Sequence, residues 1–132
     1  MRFEFLIPKR PVSLQTKNRK NLQAWKDFVL LEAKKAWLGN SSTLDELHLT
    51  LVYLYYEDPV DVDNIIKPIQ DALVGLVYND DLAIVDVESH RRPLSGPFEI
   101  LKYPRLLAEG ILGGGECVYV RVTDAKPLED FL

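Results

Sequence analysis

Acidic side chains dominate the stretch between residues 57 and 88, which holds nine of them and a single base, Lys67. Four of these acids form two closely spaced pairs, Asp61 with Asp63 and Asp80 with Asp81. Like charges at ~4 Å repel by roughly 4 kcal/mol at an effective dielectric constant of ~20, so converging carboxylates protonate, separate or bind a cation. Mg²⁺ prefers such oxygen ligands. We therefore expect a Mg²⁺ site here, with Mn²⁺ as a possible substitute; helix caps and solvated turn residues are the alternative interpretation.

Charge is unevenly divided along the chain, although the net charge is only −4. Residues 1–35 carry nine bases and three acids, a net charge of +6, whereas residues 36–132 carry seven bases and seventeen acids, a net charge of −10. A basic arm beside an acidic metal site suits a phosphodiester, because the arm binds phosphates while metal ions mask the carboxylates. The candidate phosphate contacts are Lys9, Arg10, Lys17, Arg19 and Lys20. For Lys26, Lys34 and Lys35 an ordinary solvated helix face is the favoured interpretation.

The length of 132 residues predicts one domain over residues 1–132, because it suffices for a single core but not for two. Hydrophobic residues make up 47% of the chain, and no apolar run approaches the ~20 residues of a membrane-spanning helix. The first residues do not resemble a signal peptide, since the apolar run of residues 5–7 is short and Pro8 follows it. We therefore expect a cytoplasmic protein without membrane contact.

Hydrophobic periodicity predicts an α+β fold, a small mixed β-sheet with two main helices packed on it. The predicted strands cover residues 2–7, 47–55, 82–88, 98–101 and 116–122. The predicted helices run from Asn21 to a closing turn at residues 39–41, over residues 65–76 and, more weakly, over residues 104–112. Residues 47–55 form the longest predicted strand, which we expect to be central and to deliver the chain to Asp61.

Several residues whose side chains could take part in chemistry are better explained as packed core residues. The single cysteine, Cys117, lies in an apolar strand pattern and suggests a buried core thiol. His48 alternates with apolar neighbours and is interpreted as a structural histidine, while Trp25 and Trp37 are interpreted as core anchors. The final ten residues are predicted to dock as a tail, through Phe131 and Leu132.

The segment after Asp61 carries a conflict between two helix signals. Asp63 is a natural N-cap for the helix that follows it, but Pro68 would then lie inside that helix and remove a hydrogen bond. The regular helix therefore either kinks or begins near Pro68, and we favour the later start. The turn at residues 78–81 is expected to lie near Asp61, and Asp81 is expected to lead straight into the next strand.

An Asp-x-Asp pair alone identifies no function. The residues around it must therefore be compared with the protein classes in which this pair is common. A calcium-binding EF-hand loop counted from Asp61 needs glycine and glutamate where this chain has Ile66 and Ala72. Nucleotide-sugar transferases need a larger nucleotide-binding domain with a glycine-rich strand-to-helix turn. The glycines at residues 113–115 precede a predicted strand and therefore do not form such a phosphate cradle.

The spacing of the remaining motif residues is more informative than the pair. The motif comprises Asp61-Val62-Asp63-Asn64, Lys67, Asp71-Ala72-Leu73 and Tyr78-Asn79-Asp80-Asp81. In these residues, and more loosely in the basic loop of residues 11–20, the chain closely resembles the RusA-type Holliday junction resolvases. This resemblance implies a small dimeric α+β protein that cuts four-way DNA junctions with Mg²⁺. It also implies the catalytic set Asp61, Asp63, Lys67 and Asp81, with Asp80 as the adjoining metal-site partner.

The chemistry of these residues is consistent with that implied activity. A divalent ion held by the carboxylates would orient and acidify a water for in-line attack, and Lys67 would offset the charge that develops on the phosphate. Asp71 follows Lys67 by one helical turn and is predicted to form a structural ion pair with it. The departures from the family pattern, Pro68 and a shorter interval before Asp81, leave open whether Asp80 or Asp81 is the main ligand.

Two other functions remain alternatives. The runner-up is a non-catalytic protein that binds branched DNA, and the third candidate is a phosphotransferase or phosphatase for small substrates. The last of these would not need the basic arm.

Overall fold

Seven helices and strands lie within the residues that the structure describes. A computed structural model describes residues 1–39 and 45–132. Its elements, in chain order, are β1 (Arg2–Ile7), α1 (Arg19–Ala36), β2 (Leu47–Tyr55), α2 (Ile66–Leu73), β3 (Ile84–Pro93), α3 (Arg105–Gly113) and β4 (Cys117–Asp124). Short 3₁₀ turns cover Asp81–Ala83, Ile100–Lys102 and Leu128–Asp130. The α+β prediction is confirmed.

The four strands form one mixed sheet in the order β1-β4-β2-β3. β4 is antiparallel to both β1 and β2, whereas β2 and β3 are parallel. The predicted central position of β2 is confirmed. The prediction that it is the longest strand is wrong, because β3 has 10 residues and β2 has 9.

The two faces of the sheet are covered differently. Helices α1 and α2 contact each other on one face, where the main core contains buried side chains from β1, β2 and β4. Helix α3 contacts β1 and β4, and its Leu107 joins a smaller cluster with Leu54, Cys117 and Tyr119. The two predicted main helices are therefore accompanied by a third on the opposite face. Cys117 is 3% exposed, as its strand pattern predicted.

Helix α1 begins two residues earlier than Asn21. The side chain of Asn18 caps it by accepting a hydrogen bond from the Asn21 backbone N–H at 3.1 Å. The helix ends at Ala36, and residues 40 and 41 of the predicted closing turn lie outside the described residues. Trp25 is 1% exposed in the core, and Trp37 packs edge-on against Phe3. Both tryptophans are thus core anchors, as predicted.

The start of α2 resolves the conflict between Asp63 and Pro68. The N-cap position is Ile65, without a side-chain cap hydrogen bond, so the prediction that Asp63 is the N-cap is wrong. The favoured late start is close to the structure, because the regular helix begins at Ile66, two residues before Pro68. At this position the proline removes no helical hydrogen bond, since the first four N–H groups of a helix have no intrahelical acceptor.

The second half of the chain differs from the predicted structure at the start of β3 and at residues 98–101. β3 begins at Ile84 rather than at residue 82, because residues 81–83 form a 3₁₀ turn. The strand predicted over residues 98–101 is wrong, since a 3₁₀ turn begins there at Ile100. The weak helix and the last strand are confirmed as α3 and β4.

Two further features of the described residues bear on the tail and on membrane contact. Phe131 stacks on the His48 ring, with a centroid distance of 5.7 Å, whereas Leu132 is 93% exposed. The tail therefore docks through only one of its two predicted residues.

Within residues 1–39 and 45–132, no helix combines the length and apolarity needed to cross a membrane.

Candidate functional site

All the predicted catalytic residues lie in one connection, the crossover that joins β2 to the parallel strand β3. Parallel strands require such a crossover, because the chain must return to the starting end of the sheet. The return path runs alongside β3. Arg91 Nη1 donates to the Val60 carbonyl at 3.2 Å, and Ser89 Oγ donates to the Val62 carbonyl at 2.6 Å. These two contacts fix the backbone around Asp61.

Asp61 is exposed and lies beside Arg91, a cation that the sequence did not assign to the site. Its Oδ1 is 3.4 Å from Arg91 Nη1, and its side chain is 71% exposed. The same guanidinium therefore supports the Val60 backbone and faces the first acid of the motif. The sequence shows a run of three potential cations at residues 90–92, but only the parallel β2/β3 pairing places Arg91 here.

Asp63 lies in the turn that precedes α2, and its side chain is exposed. The turn is closed by a hydrogen bond from the Asn64 N–H to the Asp61 carbonyl at 3.0 Å. Asp63 forms no ion pair within the part of the chain that the structure describes. Its carboxylate oxygens are consequently available to an added cation.

Lys67 joins the two halves of the acidic motif. Its Nζ is 2.9 Å from Asp71 Oδ1, which confirms the predicted i, i+4 pair, and it also forms an ion pair with Asp81 Oδ2. The hydrogen bonds that Lys67 donates to Asp81 and then to Asp71 raise its pKa above the ordinary value of 10.5. The side chain is therefore an ammonium ion at neutral pH, suited to stabilising negative charge and unsuited to serving as a general base.

The adjacent acids Asp80 and Asp81 have different partners. Asp80 Oδ1 accepts a hydrogen bond from the Leu82 N–H at 3.0 Å and so caps the 3₁₀ turn. Asp81 faces Lys67, whose hydrogen bond lowers the pKa of this carboxyl below its ordinary value of 3.8, with a further contribution from Asp80. The turn before β3 thus lies against Lys67, and Asp81 does not lead straight into a strand as predicted. The ion pair, rather than strand pairing, holds Asp81.

The donor set has the chemistry of a hard-cation site. Asp61, Asp63 and Asp81 offer carboxylate oxygens, the ligands that Mg²⁺ prefers, and at least the first two are well exposed. Within residues 1–39 and 45–132, however, no three acidic, histidine or cysteine side chains form a group that could hold a metal. The residue types fit a divalent cation, while their positions in the single chain do not form a compact cluster.

The basic loop lies directly beside the acidic segment. The Leu14 N–H donates to the Asn64 carbonyl at 3.0 Å, which connects the loop to the turn that contains Asp63. Three bases at the end of this loop and in the first turn of α1 are exposed, and we call them the distal loop bases: Lys17, Arg19 and Lys20. The predicted placement of a basic arm next to the acidic site is therefore supported by a direct contact.

The other two predicted phosphate contacts have partners within the protein. Lys9 Nζ lies 5.1 Å from the centre of the Phe28 ring, a cation–π distance. The Arg10 guanidinium donates to the carbonyls of Glu57 and Asp58, the former at 3.1 Å, and lies 3.4 Å from Glu116 Oε1. Arg10 thereby holds the loop that follows β2.

The fold and the site together define a class of protein. An exposed acidic crossover, a lysine held between carboxylates and an adjoining basic loop are suited to binding a phosphodiester. The chain belongs to the RusA endodeoxyribonuclease family, because the family model for endodeoxyribonuclease RusA matches residues 7–98, well over half of its length. This family acts on Holliday junction DNA, and membership supports nuclease activity. A comparison with curated protein sequences gave no significant match.

The family match covers the elements that carry the site. It includes α1, β2, α2 and β3 with the whole acidic crossover, whereas α3 and β4 lie beyond it. The resemblance predicted from the motif of residues 61–81 and, more loosely, from residues 11–20 is thus confirmed over a wider range.

Proposed function

We propose that this protein is a Mg²⁺-dependent endonuclease that resolves four-way DNA junctions by paired, symmetric nicks. The observation that carries the proposal is the position of Lys67. Lys67 lies in the first turn of α2 and forms an ion pair with Asp81. It follows Asn64 by three residues, and the Asn64 carbonyl accepts a hydrogen bond from Leu14 in the basic loop. Lys67 therefore links the turn of Asp81 to the segment of Asp61 and Asp63, and that segment contacts the basic loop.

The proposed role of each site residue follows from its charge. Asp61 and Asp63, which lie in one segment, and Asp81 with Asp80 adjoining, which lie in another, would supply the ligands for Mg²⁺, and bound Mg²⁺ would supply an activated water and a Lewis acid for phosphodiester hydrolysis. Lys67 provides a fixed positive charge for the phosphate oxygens. The distal loop bases bind the DNA backbone, which fixes the scissile strand over the acidic segment. We place this activity in the cytoplasm, as expected from the sequence.

A cleavage assay tests this proposal against its rivals. The protein is incubated with a labelled four-way junction, a duplex of equal length or a small phosphoester, each with Mg²⁺, Mn²⁺ or EDTA. We expect symmetric nicks in the junction alone, with either metal and not with EDTA. Junction binding without cleavage would favour the non-catalytic branched-DNA-binding protein, and hydrolysis of the small phosphoester alone would favour the third class.

Asp63→Asn is the matched variant for this assay. It keeps the size of an exposed side chain but removes one proposed metal ligand and one negative charge near the phosphates. We expect loss of cleavage with junction binding equal to, or tighter than, that of the wild type. A variant that cleaves at the wild-type rate would refute the metal-site assignment.

We further infer that the active form is a homodimer, because a four-way junction offers two symmetric strands and a two-fold dimer offers two equal sites. Strand β3 supports this inference. Within the described ranges, β2 is its only neighbouring strand, so its outer edge lacks a strand partner. Along β3 the acids Asp86 and Glu88 precede the bases. If β3 of a second copy pairs with it in the antiparallel direction, with Ser89 at the two-fold axis, then Asp86 lies opposite Arg92 of the partner subunit.

Light scattering coupled to size exclusion tests the dimer and this interface. The wild type should elute with the mass of a dimer. Arg92→Glu would place like charges opposite each other and should shift the population toward monomer. Lys34→Glu makes the same charge change on an exposed part of α1 and serves as the control. A monomeric wild type would refute the dimer, and a dimeric Arg92→Glu variant would move the interface away from β3.

A further inference from the structure

Lys67 has two carboxylate partners, and only one of them belongs to the proposed metal site. Asp81 is a proposed metal ligand, so a bound cation competes with Lys67 for its oxygens. Asp71 is not a ligand in this scheme, and its Oδ1 lies 2.9 Å from the Lys67 ammonium. When Asp81 binds a metal ion, Asp71 remains the carboxylate that holds Lys67.

Asp71 is itself held firmly. It lies in α2 between buried residues of the core, since Ile69 is 0% exposed and Leu73 is also 0% exposed. Its second oxygen, Oδ2, lies 3.8 Å from Lys26 Nζ on α1. Residues four apart lie on the same face of a helix, so the backbone of α2 aligns Asp71 with Lys67. The carboxylate is therefore oriented from two sides.

We propose that Asp71 is a positioning residue, which keeps the Lys67 ammonium directed at the scissile phosphate after Asp81 has bound the metal ion, and that Lys26 supports it. This inference rests on the proposed nuclease function. Asp71 does not contact substrate or metal in this role and acts only through Lys67. Because a lysine side chain has many rotamers, loss of its anchor reduces the fraction of time that the charge spends near the phosphate.

The expected effect falls on the rate and not on DNA affinity. Asp71→Asn should lower the single-turnover rate at saturating protein and Mg²⁺ by about tenfold, the effect of modest misplacement. Junction binding in EDTA should be unchanged or tighter, because a negative charge near the DNA is removed. Asp71→Glu, which retains the charge and reaches Lys67 along the same helix face, should recover most of the rate. Lys26→Gln should produce a smaller loss in the same direction.

A double-mutant cycle distinguishes positioning from a general structural effect. If Asp71 acts through Lys67, then adding Asp71→Asn to Lys67→Ala should cause no further loss of rate. Asp27→Asn makes the same change on α1, where the carboxylate contacts only Gln23 among the described residues, and should retain wild-type activity. Thermal unfolding of each variant checks the fold, and Asp71→Glu and Lys26→Gln provide the test if Asp71→Asn does not fold.

The outcomes separate the two proposals. An inactive wild type refutes the nuclease function. An active wild type with a fully active Asp71→Asn variant refutes only the positioning role, as does an additive loss in the Lys67→Ala background.

Discussion

Replacement of Lys67 by alanine gives the most direct test of how the site works. The change removes the ammonium that bridges Asp71 and Asp81, without disturbing buried side chains, because Lys67 is 46% exposed. Exposed ion pairs contribute little to folding, so the unfolding midpoint should stay near that of the wild type. The effect on cleavage should be much larger.

The size of that effect follows from the electrostatic environment. A unit charge at ~4 Å from a phosphate oxygen attracts it by about 1 kcal/mol in water and by about 4 kcal/mol at an effective dielectric constant of ~20. Lys67 is half exposed in the free protein, and bound DNA would cover it, so the relevant value lies between these limits. A loss of about 2.7 kcal/mol in the transition state corresponds to a rate about 100-fold lower.

Single-turnover cleavage of a labelled junction, at saturating protein and Mg²⁺, measures this rate. Lys67→Gln should match Lys67→Ala, since both lack the charge. Lys67→Arg should keep part of the activity, because arginine remains charged even though its planar group cannot occupy the same position. Lys67→Ala cleaving within threefold of the wild type, with equal junction binding in EDTA, would refute the role of the ammonium.

Three other predictions concern ligand ranking, DNA binding and the buried thiol. Asp81→Asn should reduce cleavage by orders of magnitude, whereas Asp80→Asn should keep measurable activity that higher Mg²⁺ partly restores; the reverse ranking would make Asp80 the main ligand. Changing the three distal loop bases to glutamine should weaken binding to every DNA and reduce the slope of log K against log salt by about 2.7, and an unchanged slope would show that the loop does not touch the backbone. Burial raises the pKa of Cys117 from 9.0 to about 11, so stability that is present below pH 9 should be lost between pH 9 and pH 11, by about 2 to 3 kcal/mol in denaturant unfolding. Cys117→Ala should reduce this loss, and an equal loss in that variant would assign it to other groups.

The bounds of β1 and β2 were predictable from the alternation of apolar residues along the sequence. β1 and β2 have the predicted bounds, because every second side chain in each is apolar, and all of these except the partly buried Tyr55 are buried. One contact beside the candidate site was also predictable, since spacing alone identified the ion pair of Lys67 with Asp71. Sequence periodicity therefore predicted strand bounds, and it predicted side-chain contacts when both residues lie on the same helix.

The errors arose where distant parts of the chain determine the structure. Asp63 has the residue type of an N-cap, but Ile65 occupies that position, and the preceding turn is held by a backbone hydrogen bond from Leu14 in the distant basic loop to Asn64. Residues 98–101 are apolar enough for a strand, yet Phe98 joins the cluster around α3. Arg91 could not be assigned to the site, because nothing local in the sequence shows that β3 is parallel to β2.

That parallel pairing also explains why the two acidic pairs lie apart. Arg91, which contacts Asp61, is paired in register with Tyr53 near the end of β2, whereas Ile84, which follows the turn of Asp81, is paired with Leu47 at its start. At about 3.3 Å per residue, the seven residues from Ile84 to Arg91 extend over about 23 Å. The crossover must cover much of this length, and α2 provides about 12 Å of it at 1.5 Å per residue. Lys67 lies in the first turn of that helix and reaches Asp81, so it is the side chain that connects the two acidic regions within one chain.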